Sequence, residues 1–238
     1  SVQSVFETLV GPVLPNARID FDYASAEDTL DRQVIAGGDD SDAGNSRIEF
    51  LADAVNSRGK IMYFDYRGVL VVRTPPDPSQ PVFTIDAGPG GVMVSGEREL
   101  NRDGVYNGVV ATGEGADADE PIRVFVYDAN PDSPTYWDGT FGQVPTFYSS
   151  SLITAPTHAA AAAHAILRRS LGLPYNIDFD TVPAAFLEPF DPLQVTYSDG
   201  QTGVHVLETV KLPLVASDAL SGSTKEQSTV DIGVEVPT

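Results

Sequence analysis

The chain has no cysteine, two methionines and one tryptophan in 238 residues, and only 14 Lys and Arg against 34 Asp and Glu. Without thiols there are no disulfide scaffolds, thiolate metal sites or cysteine nucleophiles, and the redox compartment stays open. Stability has to come from packing and assembly. The shortage of cations gives a formal charge of −20. It argues against sequence-independent binding to DNA or to an anionic membrane, because phosphate contacts need clustered Lys and Arg. The carboxylates form no single block, so most of them read as solvation. No apolar run approaches the roughly 20 residues that span a bilayer. Ser1-Val-Gln-Ser-Val-Phe-Glu7 lacks a basic segment, so neither a membrane anchor nor a signal peptide is expected. With 42% hydrophobic and 20% charged residues, the length suits one large or two modest globular domains.

Periodicity divides the chain. Val2, Val5, Phe6 and Leu9 have helical spacing, and Gly11-Pro12 stops that helix. Ser46-Arg-Ile-Glu49 has the form of a capping box, and Ile48, Leu51, Ala52 and Val55 make an apolar stripe before Gly59. Ile61 to Asp65 and Val69 to Arg73 read as a hairpin. Thr74 to Pro81 holds four prolines in eight positions, which forbids a central strand or a helix and sets a boundary. Strands are expected around Val82 to Ile85, Val92 to Leu100, Tyr175 to Val182, Leu193 to Tyr197 and Val204 to Leu212. Thr154 is placed to cap a helix with Pro156 in its first turn, running through an alanine stretch to Leu171 and ending at Gly172. Val230, Ile232, Val234 and Val236 alternate, as an edge or exchanged strand would. The expected fold is α+β: an α+β domain over 1–81, a barrel-like mixed β domain with one packed helix over 82–227, and an extension over 228–238.

Recognisable catalytic chemistry is lacking. The pairs Asp20/Asp22, Glu97/Glu99 and Asp178/Asp180 each share a strand face, as glycoside hydrolysis or calcium binding requires, but an acidic chain supplies such pairs by chance. Asp39 to Gly44 fits no frame of a calcium loop. Gly113-Glu-Gly-Ala-Asp-Ala118 matches a degenerate dinucleotide fingerprint but leads into a strand, leaving no helix N-terminus for a pyrophosphate. His158 and His164 lie six apart on one helix and face different ways, and His205 stands elsewhere. The expectation is no catalytic residue, no metal and no cofactor. Tyr136, Trp137, Phe141, Phe147 and Tyr148 form an aromatic segment suited to packing and subunit contact, with sugar stacking as the lesser alternative.

In Asn107-Gly-Val-Val-Ala-Thr-Gly-Glu-Gly115, Val109 and Ala111 share a face with Val105, and Ile122, Val124 and Val126 alternate on a returning strand. This hairpin, together with Ala129-Asn-Pro-Asp-Ser-Pro134, Phe147-Tyr-Ser-Ser-Ser-Leu-Ile-Thr154, the alanine-rich helix and Leu187-Glu-Pro-Phe-Asp-Pro-Leu-Gln-Val195, resembles the tail hub (minor tail or baseplate hub) proteins of tailed bacteriophages, particularly those of actinobacteria. The resemblance runs from about Phe6 to about Ser223.

The resemblance implies a structural virion protein at the tail tip. It would be a homotrimeric ring of tube-like β-barrels with inserted α+β domains, of which 1–81 would be one. Its partners would be other copies of itself, the distal tail tube protein, the tape measure protein and tip or fibre proteins. DNA would pass an acidic conduit without specific binding. Members of the family usually carry a further hundred or more residues, including a first barrel, ahead of the point where this chain begins. The alternatives are the hub of a contractile injection system and a tail-associated glycan hydrolase using a carboxylate pair.

Overall fold

The computed structural model describes residues 1–30, 46–100, 104–113, 121–171, 175–215, 217–227 and 232–235. The Asp39 to Gly44 segment, the hairpin tip with most of the dinucleotide-like motif, Gly172, Val230 and Val236 lie outside them.

The first unit pairs two helices with a small sheet. Helix α1 (Val2–Val10) begins with a capping box between Ser1 and Ser4 and buries Val2, Phe6 and Val10. Strand β1 (Ile19–Phe21) follows. Helix α2 (Arg47–Asn56) has the expected box, Ser46 accepting from the Glu49 amide and Glu49 from the Ser46 amide. It buries Leu51, Ala54 and Val55, whereas Ile48 is exposed. Strands β2 (Ile61–Phe64) and β3 (Leu70–Arg73) form the expected hairpin, and β1 pairs parallel to β3. Asp65 holds its turn by accepting the Arg67 and Val69 amides, and Gly68 takes the positive φ of 75° that the turn needs. Phe6, Leu51, Val55, Leu70 and Val72 meet in one core. No strand runs through Thr74 to Pro81.

Two further sheets follow. Strands β4 (Phe83–Asp86), β5 (Met93–Leu100), β9 (Tyr175–Thr181), β10 (Pro192–Thr196), β11 (Thr202–Lys211) and β12 (Leu220–Glu226) form a curled half-barrel in the order β4-β10-β11-β12-β9-β5. Ile85, Ile177, Phe179, Leu187, Leu193, Leu207 and Leu220 pack together as its core. Strands β6 (Gly108–Gly113), β7 (Ile122–Asp128), β8 (Pro145–Ser149) and β13 (Ile232–Glu235) form the other sheet, ordered β13-β7-β6-β8. Val109, Ala111, Val124 and Val126 sit on one face of it, fully buried under α3 (Pro156–Ser170). The alanines Ala159, Ala162 and Ala163 let that helix approach closely. The fold is thus α+β with a barrel-like β domain and one packed helix. That helix covers the four-stranded sheet, against β6 and β7. Its N-cap is Ala155, one residue beyond Thr154, and Pro156 opens the first turn, where its missing N–H costs nothing. Strand β13, the described part of 228–238, is an edge strand of the four-stranded sheet, paired with β7.

Candidate functional site

The sequence phrases that stand out turn out to be loop anchors. Asp128, at the end of β7, accepts the Asn130 amide and the hydroxyls of Ser133 (2.5 Å) and Thr135 (2.7 Å), which folds the Asn-Pro-Asp-Ser-Pro-Thr turn around one buried carboxylate. Asn107 completes the brace. Its Nδ2 donates to the carbonyls of Thr135 and Gly142, and its Oδ1 accepts the Val144 amide. The loop folds back on its own sheet. The Trp137 amide donates to the Asp128 carbonyl, and its indole lies 5.1 Å from the Phe125 ring and 6.0 Å from Tyr127. Gly108 leaves the space it occupies, since a Cβ there would stand 2.6 Å from Trp137 Cζ3.

The five aromatic residues read from the sequence are therefore divided. Trp137 packs against the β7 rings on the face opposite α3, Tyr136 and Phe141 are half-buried in the loop, and Phe147 is 73% exposed on edge strand β8. Tyr148 points the other way. Its hydroxyl donates to Asp53 Oδ1 of α2 at 2.6 Å, and Ser150 donates to Asp53 Oδ2 at 2.7 Å. Burial, and then the Asp53 hydrogen bond, push the Tyr148 hydroxyl well above the usual phenol range. Arg58 closes this junction from the α2 side by donating to Asp28, Ser57, the Thr29 carbonyl and, across the units, the Leu152 carbonyl. A second seam joins β2 and β3 to the half-barrel, where Tyr63 donates to Glu188 at 2.6 Å and Arg73 pairs with Asp191. Partners more than 90 positions apart hide both seams from sequence reading.

The carboxylate pairs fare differently. Asp22 accepts the Thr74 amide. Glu97 on β5 stands opposite Asp178 on β9, and Ser95 opposite Asp180, on the face turned away from the half-barrel core. With Thr209, Lys211, Ser221 and Ser223 they line an open depression of about 890 Å³. Asp180 accepts the Ser95 and Ser221 hydroxyls, which hold its carboxyl below the usual range. A carboxylate kept ionised in this way is the reverse of what a glycosidase general acid needs. Among the described residues no three His, Asp or Glu side chains gather as a metal site. His205 is buried, its Nε2 2.8 Å from the Tyr197 hydroxyl and its Nδ1 3.1 Å from that of Thr224. Burial, and then nearby Arg98, lower its pKa to about 4.

This architecture is the fold of phage and prophage tail proteins. The tail protein from Neisseria meningitidis MC58 superposes with a TM-score of 0.60 at 15% identity, over 95% of this chain and 66% of that one. The 43 kDa tail protein of prophage MuSo2 from Shewanella oneidensis gives 0.61 at 12%, over 94% and 65%. A prophage tail protein from Listeria monocytogenes EGD-e gives 0.50 at 11%, over 92% and 64%. This chain therefore spans slightly under two thirds of the length of each. No protein-family model and no curated protein sequence matches it.

Proposed function

We propose that this chain is a structural, non-enzymatic protein of a bacteriophage tail, a hub of the actinobacteriophage type at the distal end of the tail tube. The observation that carries this reading is the likeness in fold, over more than nine tenths of the chain, to the tail proteins from Neisseria meningitidis and Shewanella oneidensis. The hub role rests on the sequence resemblance, in which Asn107 anchors the aromatic loop and the Ala129 to Pro134 turn folds onto Asp128. In this reading 1–81 is the inserted domain, 82–227 the tube-like part and 228–238 an extension. Copies of the chain form a trimeric ring that meets the tube, tape measure and tip or fibre proteins, with Phe147 and the Trp137 loop on the contact side. The net charge of −20 suits a conduit to which DNA does not adhere.

Electron microscopy of virions labelled with antibody against this chain tests the reading. Label confined to the distal tail tip is the expected result. Label on the capsid, along the tube or on no part of the particle overturns it.

A further inference from the structure

Strand β8 is an open edge without the ordinary protection. It ends the four-stranded sheet and pairs with β6 alone. Edge strands avoid stray pairing by carrying charge, by bulging or by lying under other parts of the chain. The other edges of the two larger sheets are charged: Asp86 stands on β4, Glu97, Arg98 and Glu99 on β5, and Glu235 on β13. Pro145-Thr-Phe-Tyr-Ser149 carries no charge, keeps an unbroken register with β6 and exposes Phe147. The Val144 carbonyl and the Ser150 amide, just outside the strand, bond to Asn107 and Thr112 on the β6 side. By strand alternation the amides of Phe147 and Ser149 therefore point to the open edge, where no backbone acceptor meets them among the described residues.

A cation beside this edge lacks an anion. Arg169, in the last turn of α3, is half-buried, and its guanidinium makes no hydrogen bond or ion pair among the described residues. It acts electrostatically on the Tyr148 hydroxyl, whose ring packs on the α3 side of β8. Burial lowers the Arg169 pKa, as befits a charge that has lost hydration without gaining a counter-ion. Helix capping does not account for it, because Lys225 already donates to the carbonyls of Arg169 and Ser170. Nor does Asp53 answer it, since that carboxylate takes the hydroxyls of Tyr148 and Ser150. In an added strand the residues opposite Phe147 and Tyr148 are consecutive and face opposite ways, so the first suits an apolar side chain and the second an acidic one. A second copy is a poor occupant: pairing β8 with β8 would bring two Arg169 side chains to one face of the joint with no anion between them. We propose that β8 is the docking edge for an extended segment of another tail protein, which adds a fifth strand to this sheet and carries an acidic residue for Arg169 next to an apolar one for Phe147. The proposal rests on the reading of the chain as a tail component.

Amide hydrogen exchange followed by NMR on the full chain tests it, with the peptide Thr-Val-Thr-Val-Asp-Val-Thr at millimolar concentration as the probe. Bound peptide is expected to slow exchange at the Phe147 and Ser149 amides about tenfold or more, and to leave the β13 edge unchanged. Replacing the peptide's Asp by Asn, or Arg169→Gln in the chain, weakens binding about tenfold, and the two changes together cost no more than either alone. Ser149→Pro removes an outward amide, spares the β6 ladder and weakens binding as well. No protection at β8, Asp and Asn peptides that bind alike, or an Arg169→Gln chain that binds as wild type does overturns the proposal. So does protection of the same two amides that appears without peptide as the chain is concentrated, which gives the edge to a second copy. The tail-tip reading stands or falls separately, with the particle labelling.

Discussion

Tyr148 on β8 donates its hydroxyl proton to Asp53 on α2 across 2.6 Å, joining residues 95 positions apart. The same carboxylate takes the Ser150 hydroxyl at 2.7 Å, so one acidic side chain of the first unit holds two hydroxyls of the four-stranded sheet. The two substitutions there have unequal costs. Asp53→Ala strands the hydroxyls of half-buried Tyr148 and buried Ser150 and is expected to cost about 2 kcal/mol, whereas Tyr148→Phe leaves Asp53 with Ser150 and costs about 1 kcal/mol. Urea unfolding of the two variants measures the difference. Equal costs would mean that the carboxylate is satisfied by solvent.

Acid sensitivity is expected from His205. Its pKa is lowered from 6.5 to about 4 in the folded chain, so the unfolded chain binds the proton first as pH falls. The contribution is intact above 6.5, is lost between 6.5 and 4, and amounts to about 3 kcal/mol. Glu226, raised chiefly by burial, works in the opposite sense, its contribution being lost as pH rises. The variant His205→Gln therefore isolates the imidazole: urea midpoints measured from pH 7 to pH 4 should fall less steeply than those of wild type. Parallel profiles for the two proteins would remove His205 from the account.

Gly108 can be tested with the chain's own fluorophore. Trp137 is the one tryptophan, and a Cβ on Gly108 would stand 2.6 Å from its ring. Gly108→Ala should lift the indole from Phe125 and Tyr127 and shift its emission to the red. It should also cost about 1 to 3 kcal/mol, as overpacking does. Unchanged emission would show that the loop yields without moving the ring.

Gly59 combines a steric and a conformational demand. It has φ of 66°, and an added Cβ would lie 2.5 Å from the Ala161 carbonyl oxygen of α3. Gly59→Ala is expected to cost at least about 2 kcal/mol through backbone strain and contact together. Gly68→Ala shares the positive φ but has open space around it, so it should cost only about 1 kcal/mol. Thermal melts of the pair separate the two effects.

Local signals in the sequence match local structure. The Ser46 to Glu49 box, the Gly68 turn and the alternation of Val109, Ala111, Val124 and Val126 depend on neighbours a few residues away or across one hairpin. Strand β12, Leu-Ser-Gly-Ser-Thr-Lys-Glu, has no apolar alternation and is a strand because it pairs with β11 on one side and β9 on the other. Strand β8 was hidden inside an aromatic segment, since its pairing partner β6 lies some forty residues back and runs parallel. Strand β1 is three residues long and is defined by β3 alone. Helix α3 was visible, but its periodicity carried no information about which of two sheets it covers. The aromatic set was legible as residue types and not as two opposed faces, because Phe147 and Tyr148 are separated by strand alternation that a loop reading ignores.

The guanidinium of Arg58 bears on the order in which the chain is built. It is nearly buried, and one of its hydrogen bonds reaches the Leu152 carbonyl, 94 residues later. At ribosomal speeds of about 5–20 residues per second, the N-terminal unit waits several seconds before that acceptor exists. Until then Arg58 has only Asp28, Ser57 and the Thr29 carbonyl, and the surface that will receive β8 and α3 stays open to water. The nascent first unit is thus a half-finished seat, with Arg58 and Arg73 each short of a partner until the second half of the polypeptide docks.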